Sequence, residues 1–126
     1  MKAVVVIFEG GSRGNPGPGY GSYAILRNGR RTVTRLEFGS PMTLVEASYD
    51  TLIKALEALH QQNGIADTDL EIRGSNPTVI HQITGDWQAR SAHLKARHSR
   101  VTDLMQPFKS IQVTQVSNDD AKRYLS

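Results

Sequence analysis

The sequence has 126 residues, the size of a single domain, and its hydrophobic fraction of 38% is enough for one modest core. It contains no cysteine, which excludes disulfides and thiolate metal sites, and its longest apolar run, Ala3 to Phe8, is far too short for a membrane span or a signal peptide. The net charge of +3 is a mild signal of a polyanionic partner, and on charge alone an ordinary slightly basic protein is the more common explanation. We therefore expect a cytoplasmic protein without a membrane partner.

The first third of the chain predicts three antiparallel strands. Ala3 to Phe8 is nearly continuous in β-branched and apolar residues, which is typical of a strand buried on both faces. A glycine-rich stretch from Gly10 to Gly21 follows and is expected to be irregular. The strands Tyr20 to Leu26 and Arg31 to Phe38 flank Asn28-Gly29, which is a strong signal for a two-residue hairpin turn.

Helices and strands alternate in the rest of the chain. Thr43 and Glu46 have the spacing of a capping box, and the helix they open is expected to end near Gln62. The later elements are a strand at Leu70 to Arg73, a short helix from Ser75-Asn76-Pro77 to about Gly85, a helix from Ser91 to Gln106, a strand from Ile111 to Val116 and a helix starting at Asn118. Helical crossovers imply that the two late strands run parallel to the first. We predict one α/β domain over residues 1–126, with a five-stranded mixed sheet in a three-layer architecture flanked by helices.

The segment Phe8 to Pro18 closely resembles the opening motif of type-1 ribonuclease H. It reads F-E-G-G-S-R-G-N-P-G-P, where the family has F-D-G-G-S-x-G-N-P-G-P. The order of elements and Trp87 after Gly85-Asp86 agree with the same family, so that the resemblance covers essentially the whole chain. It implies the ribonuclease H-like fold. It also implies an enzyme that cuts the RNA strand of RNA–DNA hybrids with two divalent metals held by four carboxylates.

Local motifs of the family place those four carboxylate positions on residues of this chain. The first-strand aspartate corresponds to Glu9, the first-helix glutamate to Ser48, the fourth-strand aspartate (in an I-x-T-D-S pattern) to Gly74, and the last-helix aspartate to Lys122. One carboxylate remains, and a lysine ammonium opposes the binding of a divalent cation. Asp119 is the only neighbouring acid with the spacing to compensate. We therefore expect no metal, no cofactor, and an ion pair between Glu9 and Lys122 at the vestigial site; Mg²⁺ enters only if the chain is an active nuclease.

The glycine-rich loop is the first candidate for nucleic-acid binding. The resemblance implies contacts to the RNA strand from the loop residues and from Thr43, although tight loops also need glycine and proline for their dihedral angles, and Thr43 is already explained as a helix cap. Leu44 and Val45 stand where the family has paired asparagines, which speaks against binding. The matching loop residues are Ser12, Gly14, Asn15 and Gly17.

Basic residues along the long helix are the second candidate. They fall at i, i+3, i+7 and i+10, which places them on one stripe of the helix. Such a stripe can follow a phosphate backbone, but an ordinary solvated helix face shows the same pattern and is the more common explanation. We take Arg90 and Arg97 as the candidate phosphate contacts. The stripe comprises Arg90, His93, Arg97 and Arg100.

Three functions remain open at this stage. The first is a catalytically inactive protein that binds RNA–DNA hybrid or RNA duplex, favoured by the Gly-Asn-Pro-Gly loop. The second is a protein-interaction or self-associating module, as a homodimer, favoured by Leu44 and Val45. The third is a metal-dependent ribonuclease H with unusual ligands, favoured by Glu9, Asp119 and Asp120. The first is our working prediction.

Overall fold

The computed structural model describes residues 2–126. Its strands are β1 (Lys2–Ser12), β2 (Gly17–Arg27), β3 (Arg30–Met42), β4 (Thr68–Gly74) and β5 (Ser110–Gln115). Its α-helices are α1 (Leu44–His60), α2 (Pro77–Thr84), α3 (Ala92–Met105) and α4 (Asn118–Leu125), and a short 3-10 helix (Ile65–Asp67) precedes β4. Across these residues, none of the helices has the length and apolarity that a bilayer crossing requires.

The strands form one mixed sheet in the order β3-β2-β1-β4-β5. The pairs β1–β2 and β2–β3 are antiparallel, whereas β4 runs parallel to both β1 and β5. Asn28 and Gly29, both at positive φ, make the tight turn between β2 and β3. The predicted architecture is confirmed.

Helices cover both faces of the sheet. The larger core cluster joins alternate residues of β1, such as Val6 and Phe8, to α1, α2 and α3. The smaller cluster joins Ile7 and Ala24 on the opposite face to the apolar side of α4. Since side chains alternate across a strand, β1 has to be apolar on both faces, as its sequence predicts.

The glycine-rich stretch is the main departure from the predicted elements. Pairing between β1 and β2 continues to Ser12 and Gly19, so that most of the stretch is strand. A Cβ at Gly10 would overlap the backbone of Ser48, and one at Gly21 would overlap the side chain of Thr51. The glycines therefore allow α1 to lie close against the sheet, which is a reason for glycine that the sequence alone does not distinguish from a loop.

Helix α1 is fixed at its start by the predicted capping box. The Thr43 hydroxyl accepts a hydrogen bond from the Glu46 amide (3.1 Å), and the Glu46 carboxylate accepts one from the Thr43 amide (2.9 Å). The hydrogen bond from the Thr43 amide is the main reason that the pKa of Glu46 lies below its usual value. In the core, the Tyr49 hydroxyl donates to Gln82 (2.6 Å), and burial raises the pKa of Tyr49 to about 12.

Candidate active site

A polar cleft of about 320 Å³ opens at the carboxyl ends of β1 and β4. Three of the four residues predicted from the family motifs, namely Glu9, Ser48 and Lys122, line it together. They come from β1, α1 and α4, which lie far apart in the sequence and meet only through the parallel β1–β4 pairing and the final helix. The other lining residues are Phe8, Gly10, Leu44, Ser75, Asn76, Pro77 and Asn118.

The fourth position is Ser75, and the prediction of Gly74 was one residue too early. Gly74 does not line the cleft, and a Cβ built there would meet the ring of Phe8 and the side chain of Ile80 in the core. Successive residues of a strand face opposite sides, so the next residue, Ser75, faces the cleft. The sequence contained the signal, because the I-x-T-D-S pattern counted from Ile72 puts the aspartate on Ser75.

Glu9 and Lys122 share the cleft without forming the predicted ion pair. Within residues 2–126, neither side chain has an ion-pair partner within 4.0 Å or a hydrogen bond. The Ser48 hydroxyl donates to the carbonyl of Leu44 in its own helix (2.9 Å), so its proton is already hydrogen-bonded within α1. The arrangement therefore offers one free carboxylate, which can accept a proton, and one free ammonium, which can bind an anionic oxygen.

The glycine-rich loop adjoins this cleft through a direct contact. The side-chain carbonyl of Asn15 accepts a hydrogen bond from the amide of Leu44 (3.0 Å), which lies at the start of α1 and lines the cleft. Gly14 has a φ of 105°, and a Cβ at Gly17 would overlap the carbonyl of Arg13. The loop is therefore a specific structure with structural reasons for its glycines, and Asn15 and Pro16 at its tip remain exposed. Contacts of Ser12, Gly14, Asn15, Gly17 and Thr43 to a nucleic acid stay a prediction.

An arginine that the sequence analysis did not single out lies beside the loop. Arg13 forms two hydrogen bonds to the Glu37 carboxylate (2.8 and 2.9 Å) and lies 4.7 Å from the centre of the Tyr20 ring. The Glu37 carboxylate raises the pKa of Arg13, and the guanidinium lowers the pKa of Glu37. The β2–β3 pairing sets Tyr20 opposite Glu37, and the Arg13 amide donates to the carbonyl of Pro18 (3.0 Å), which holds Arg13 beside both.

The basic stripe on α3 faces α1 rather than open solvent at Arg97. The Arg97 guanidinium binds Asp50 (2.8 Å) and Glu46 (3.3 Å), and its side chain is 22% exposed. Arg100 pairs with Glu57 in the same way (3.0 Å). These contacts join two helices, which argues against Arg97 as a phosphate contact. Arg90 is exposed just before α3 and remains a candidate phosphate contact.

Among the large apolar side chains that the structure describes, Trp87 is the most exposed, at 47%. Its ring is stacked on His81, with ring centres 4.3 Å apart. Exposed, held aromatic rings of this kind suit stacking on a base or a sugar.

Comparison with known proteins identifies the family. Residues 8–122 match the family model described as reverse transcriptase-like. The chain belongs to the ribonuclease H-like family. It is 34% identical over 116 residues to a Ribonuclease HI of Halobacterium salinarum, a match that covers 86% of this chain and 54% of that protein. The chain thus spans about half the length of this curated relative.

Solved structures of ribonuclease H proteins share the fold. RNase H1 from Halobacterium salinarum superposes with a TM-score of 0.87 at 31% identity, over 97% of this chain and 91% of that one. LC11-RNase H1 in complex with an RNA/DNA hybrid superposes with a TM-score of 0.86 at 23% identity, over 96% and 90% of the two chains.

These comparisons overturn the prediction of a catalytically inactive binding protein that is not an enzyme. The curated relative is named as an enzyme, Ribonuclease HI, at 34% identity over most of this ribonuclease H-like chain. The prediction gave most weight to the missing carboxylates, whereas the kinship extends over the whole fold.

The residues of the cleft do not fit the two metals that the family resemblance implies. Glu9 is the one carboxylate among the cleft-lining residues, beside Ser48, Ser75 and Lys122, and Asp119 does not line the cleft. Nowhere in residues 2–126 do three or more histidine, cysteine or acidic side chains gather in a way that could hold a metal ion. Magnesium needs several hard oxygen ligands in near-octahedral geometry, and a neighbouring ammonium opposes it. We therefore derive no catalytic step through metal ions.

Proposed function

We propose that this ribonuclease H-like chain binds RNA–DNA hybrids and cleaves their RNA strand. The observation that carries the proposal is its relationship to the Ribonuclease HI of Halobacterium salinarum. The substrate class is supported by LC11-RNase H1, which shares the fold and has been crystallised with an RNA/DNA hybrid.

The surface around the cleft supports a nucleic-acid strand as ligand. The Asn15–Leu44 hydrogen bond joins the glycine-rich loop to the rim of the cleft, so that one strand can contact both. We assign the loop, with Ser12, Gly14, Asn15 and Gly17, to the sugar–phosphate backbone, because backbone N–H groups near glycines can approach anionic oxygens closely. Arg90 supplies a further phosphate contact, and Thr43 holds the start of α1 beside the loop.

Within the cleft we assign the chemistry to the two unpaired charged groups. Glu9 is the group able to accept a proton, and Lys122 is the group able to stabilise negative charge on a phosphate oxygen.

A cytoplasmic location and self-association remain predictions. The first rests on the absence of cysteine, and the second on the exposed Leu44, which is 44% accessible. Size-exclusion chromatography over a range of concentrations tests the second, because a homodimer elutes earlier as the concentration rises.

The proposal is tested by incubating the purified protein with a hybrid carrying a labelled RNA strand. Duplex RNA and duplex DNA of the same sequence serve as comparison substrates, and each is assayed with magnesium, with manganese and with a chelator. We expect cleavage of RNA in the hybrid, and the chelator arm decides whether a divalent ion takes part. A hybrid that is bound but stays intact in every arm would contradict the proposal.

A further inference from the structure

A second groove, of about 590 Å³, lies between the β2–β3 hairpin and the last turns of α1. It shares no lining residue with the active-site cleft. Arg27, which lines the groove, pairs with Val4 near the start of β1, whereas Glu9 lies five residues further along that strand. At the rise of a β-strand this separates the two sites by about 17 Å.

Arg27 is a half-buried cation without an anion. Its Nε atom is buried and lacks a hydrogen-bond partner among the described residues. The other half-buried arginines are neutralised, since Arg73 binds Glu71 and Arg97 binds Asp50 and Glu46. A buried donor without a partner is unfavourable, and the guanidinium of Arg27, which lines the groove, has no anion among the described residues to offset its charge. An anion bound in the groove would neutralise it.

A second arginine stands directly opposite. Arg30 on β3 pairs in register with Arg27 on β2, so both guanidinium groups face the same groove. No carboxylate lines the groove. Like charges at opposed positions of a sheet destabilise each other unless an anion lies between them.

The other residues that line the groove indicate the chemistry of its ligand. Thr32 and Thr34 add hydroxyl donors beside the arginines, and Tyr23 and Ala58 give the groove an apolar floor. Guanidinium and hydroxyl donors suit a phosphate, whose oxygens arginine binds in bidentate fashion. The volume lies within the range of small-molecule sites.

We propose that this groove binds the phosphate group of a free, nucleotide-sized ligand, with Arg27 and Arg30 on the phosphate and the apolar floor against the rest of the molecule. The site is independent of the proposed nuclease activity, because it lies at the other end of the sheet. Failure of hybrid cleavage therefore leaves its test unchanged.

The experiment follows the arginine side-chain Nε–H signals by NMR during titration with adenosine monophosphate, inorganic phosphate, adenosine and an RNA–DNA hybrid. The two phosphate-bearing small molecules should shift the Arg27 signal, and adenosine should not. Arg27→Gln should weaken binding of adenosine monophosphate about tenfold or more, the loss expected for charge-assisted hydrogen bonds. Lys109→Gln removes the same charge at an exposed position outside the groove and should bind normally.

A variant at Arg30 shows whether a loss of binding in Arg27→Gln comes from misfolding. Arg30 is exposed, so Arg30→Gln leaves the core intact and should still weaken binding of adenosine monophosphate. An Arg27 signal that ignores phosphate and nucleotide at saturating concentration overturns the proposal. A signal that shifts only with the hybrid overturns it as well, and assigns the groove to a nucleic-acid strand.

Discussion

Arg97 is a single residue that links α3 to α1. Its guanidinium neutralises Asp50 and Glu46, whose side chains are only 25% and 18% exposed. Arg97→Gln leaves both carboxylates without that partner and should lower the free energy of unfolding by about 1–3 kcal/mol, as measured by urea denaturation. Arg100→Gln, which breaks the more exposed pair with Glu57, should lower it by less than about 1 kcal/mol.

The salt dependence of hybrid binding separates this structural role from a phosphate contact. A structural Arg97 leaves the slope of affinity against salt unchanged in the Arg97→Gln variant. A slope flattened by about one unit, with stability intact, would show that Arg97 contacts a phosphate after all.

Glu46 makes the start of α1 sensitive to acid. Its pKa is lower in the folded chain than the ordinary value of 4.5, mainly because its carboxylate accepts a hydrogen bond from the Thr43 amide. The stabilisation is therefore complete above the ordinary pKa and is lost as the pH falls through the lowered one. Between about pH 6 and pH 3, the wild type should lose more unfolding free energy than Glu46→Gln does. Equal losses would mean that other carboxylates dominate.

The identity of the fourth cleft position can be tested by rebuilding the carboxylates. A variant with Glu9→Asp, Ser48→Glu, Ser75→Asp and Lys122→Asp should bind manganese, as measured by calorimetry, because all four side chains face one cleft. The matched variant with Gly74→Asp instead of Ser75→Asp should not, since that side chain would point at Phe8. Manganese binding to the Gly74→Asp variant alone would restore the original prediction.

Among the secondary-structure elements, the packing of α1 against β1 depends on glycine. A Cβ at Gly10 would overlap the backbone of Ser48, which cannot rotate away as a flexible side chain can. Gly10→Ala should lower the free energy of unfolding by about 3 kcal/mol or more. Gly29→Ala meets no neighbouring atom but has a φ of 75°, so it should lower it by only about 1 kcal/mol. Similar losses for both would mean that the helix moves freely away from the sheet.

The elements themselves follow from local sequence signals. The Asn28-Gly29 turn, the Thr43–Glu46 box and the apolar pattern of β1 each act within a few residues, so they can be recognised without the fold. The extension of β1 and β2 through the glycine-rich stretch could not be recognised in this way. Glycine is required there by the close approach of α1, which depends on the fold.

At the scale of the whole molecule, motif matching located the cleft but not its interactions. Glu9, Ser48 and Lys122 meet as predicted because the family motifs carry the topology with them. The pairing of Arg97 and the missing Glu9–Lys122 ion pair depend on side-chain distances between elements, which no local pattern encodes. The loss of catalysis was inferred from single positions and is overturned by kinship over most of the chain.

The central claim is that this chain cleaves the RNA of a hybrid with Glu9 as the group that accepts a proton. The most direct measurement is the single-turnover cleavage rate of wild type, Glu9→Gln and Asp103→Asn on one hybrid. Asp103 is an exposed acid outside the cleft lining, so its variant should cleave at the wild-type rate. Glu9→Gln should be slower by about a hundredfold or more, as expected on removal of a general base. An intact hybrid with the wild type, or equal rates for Glu9→Gln and wild type, would contradict the account.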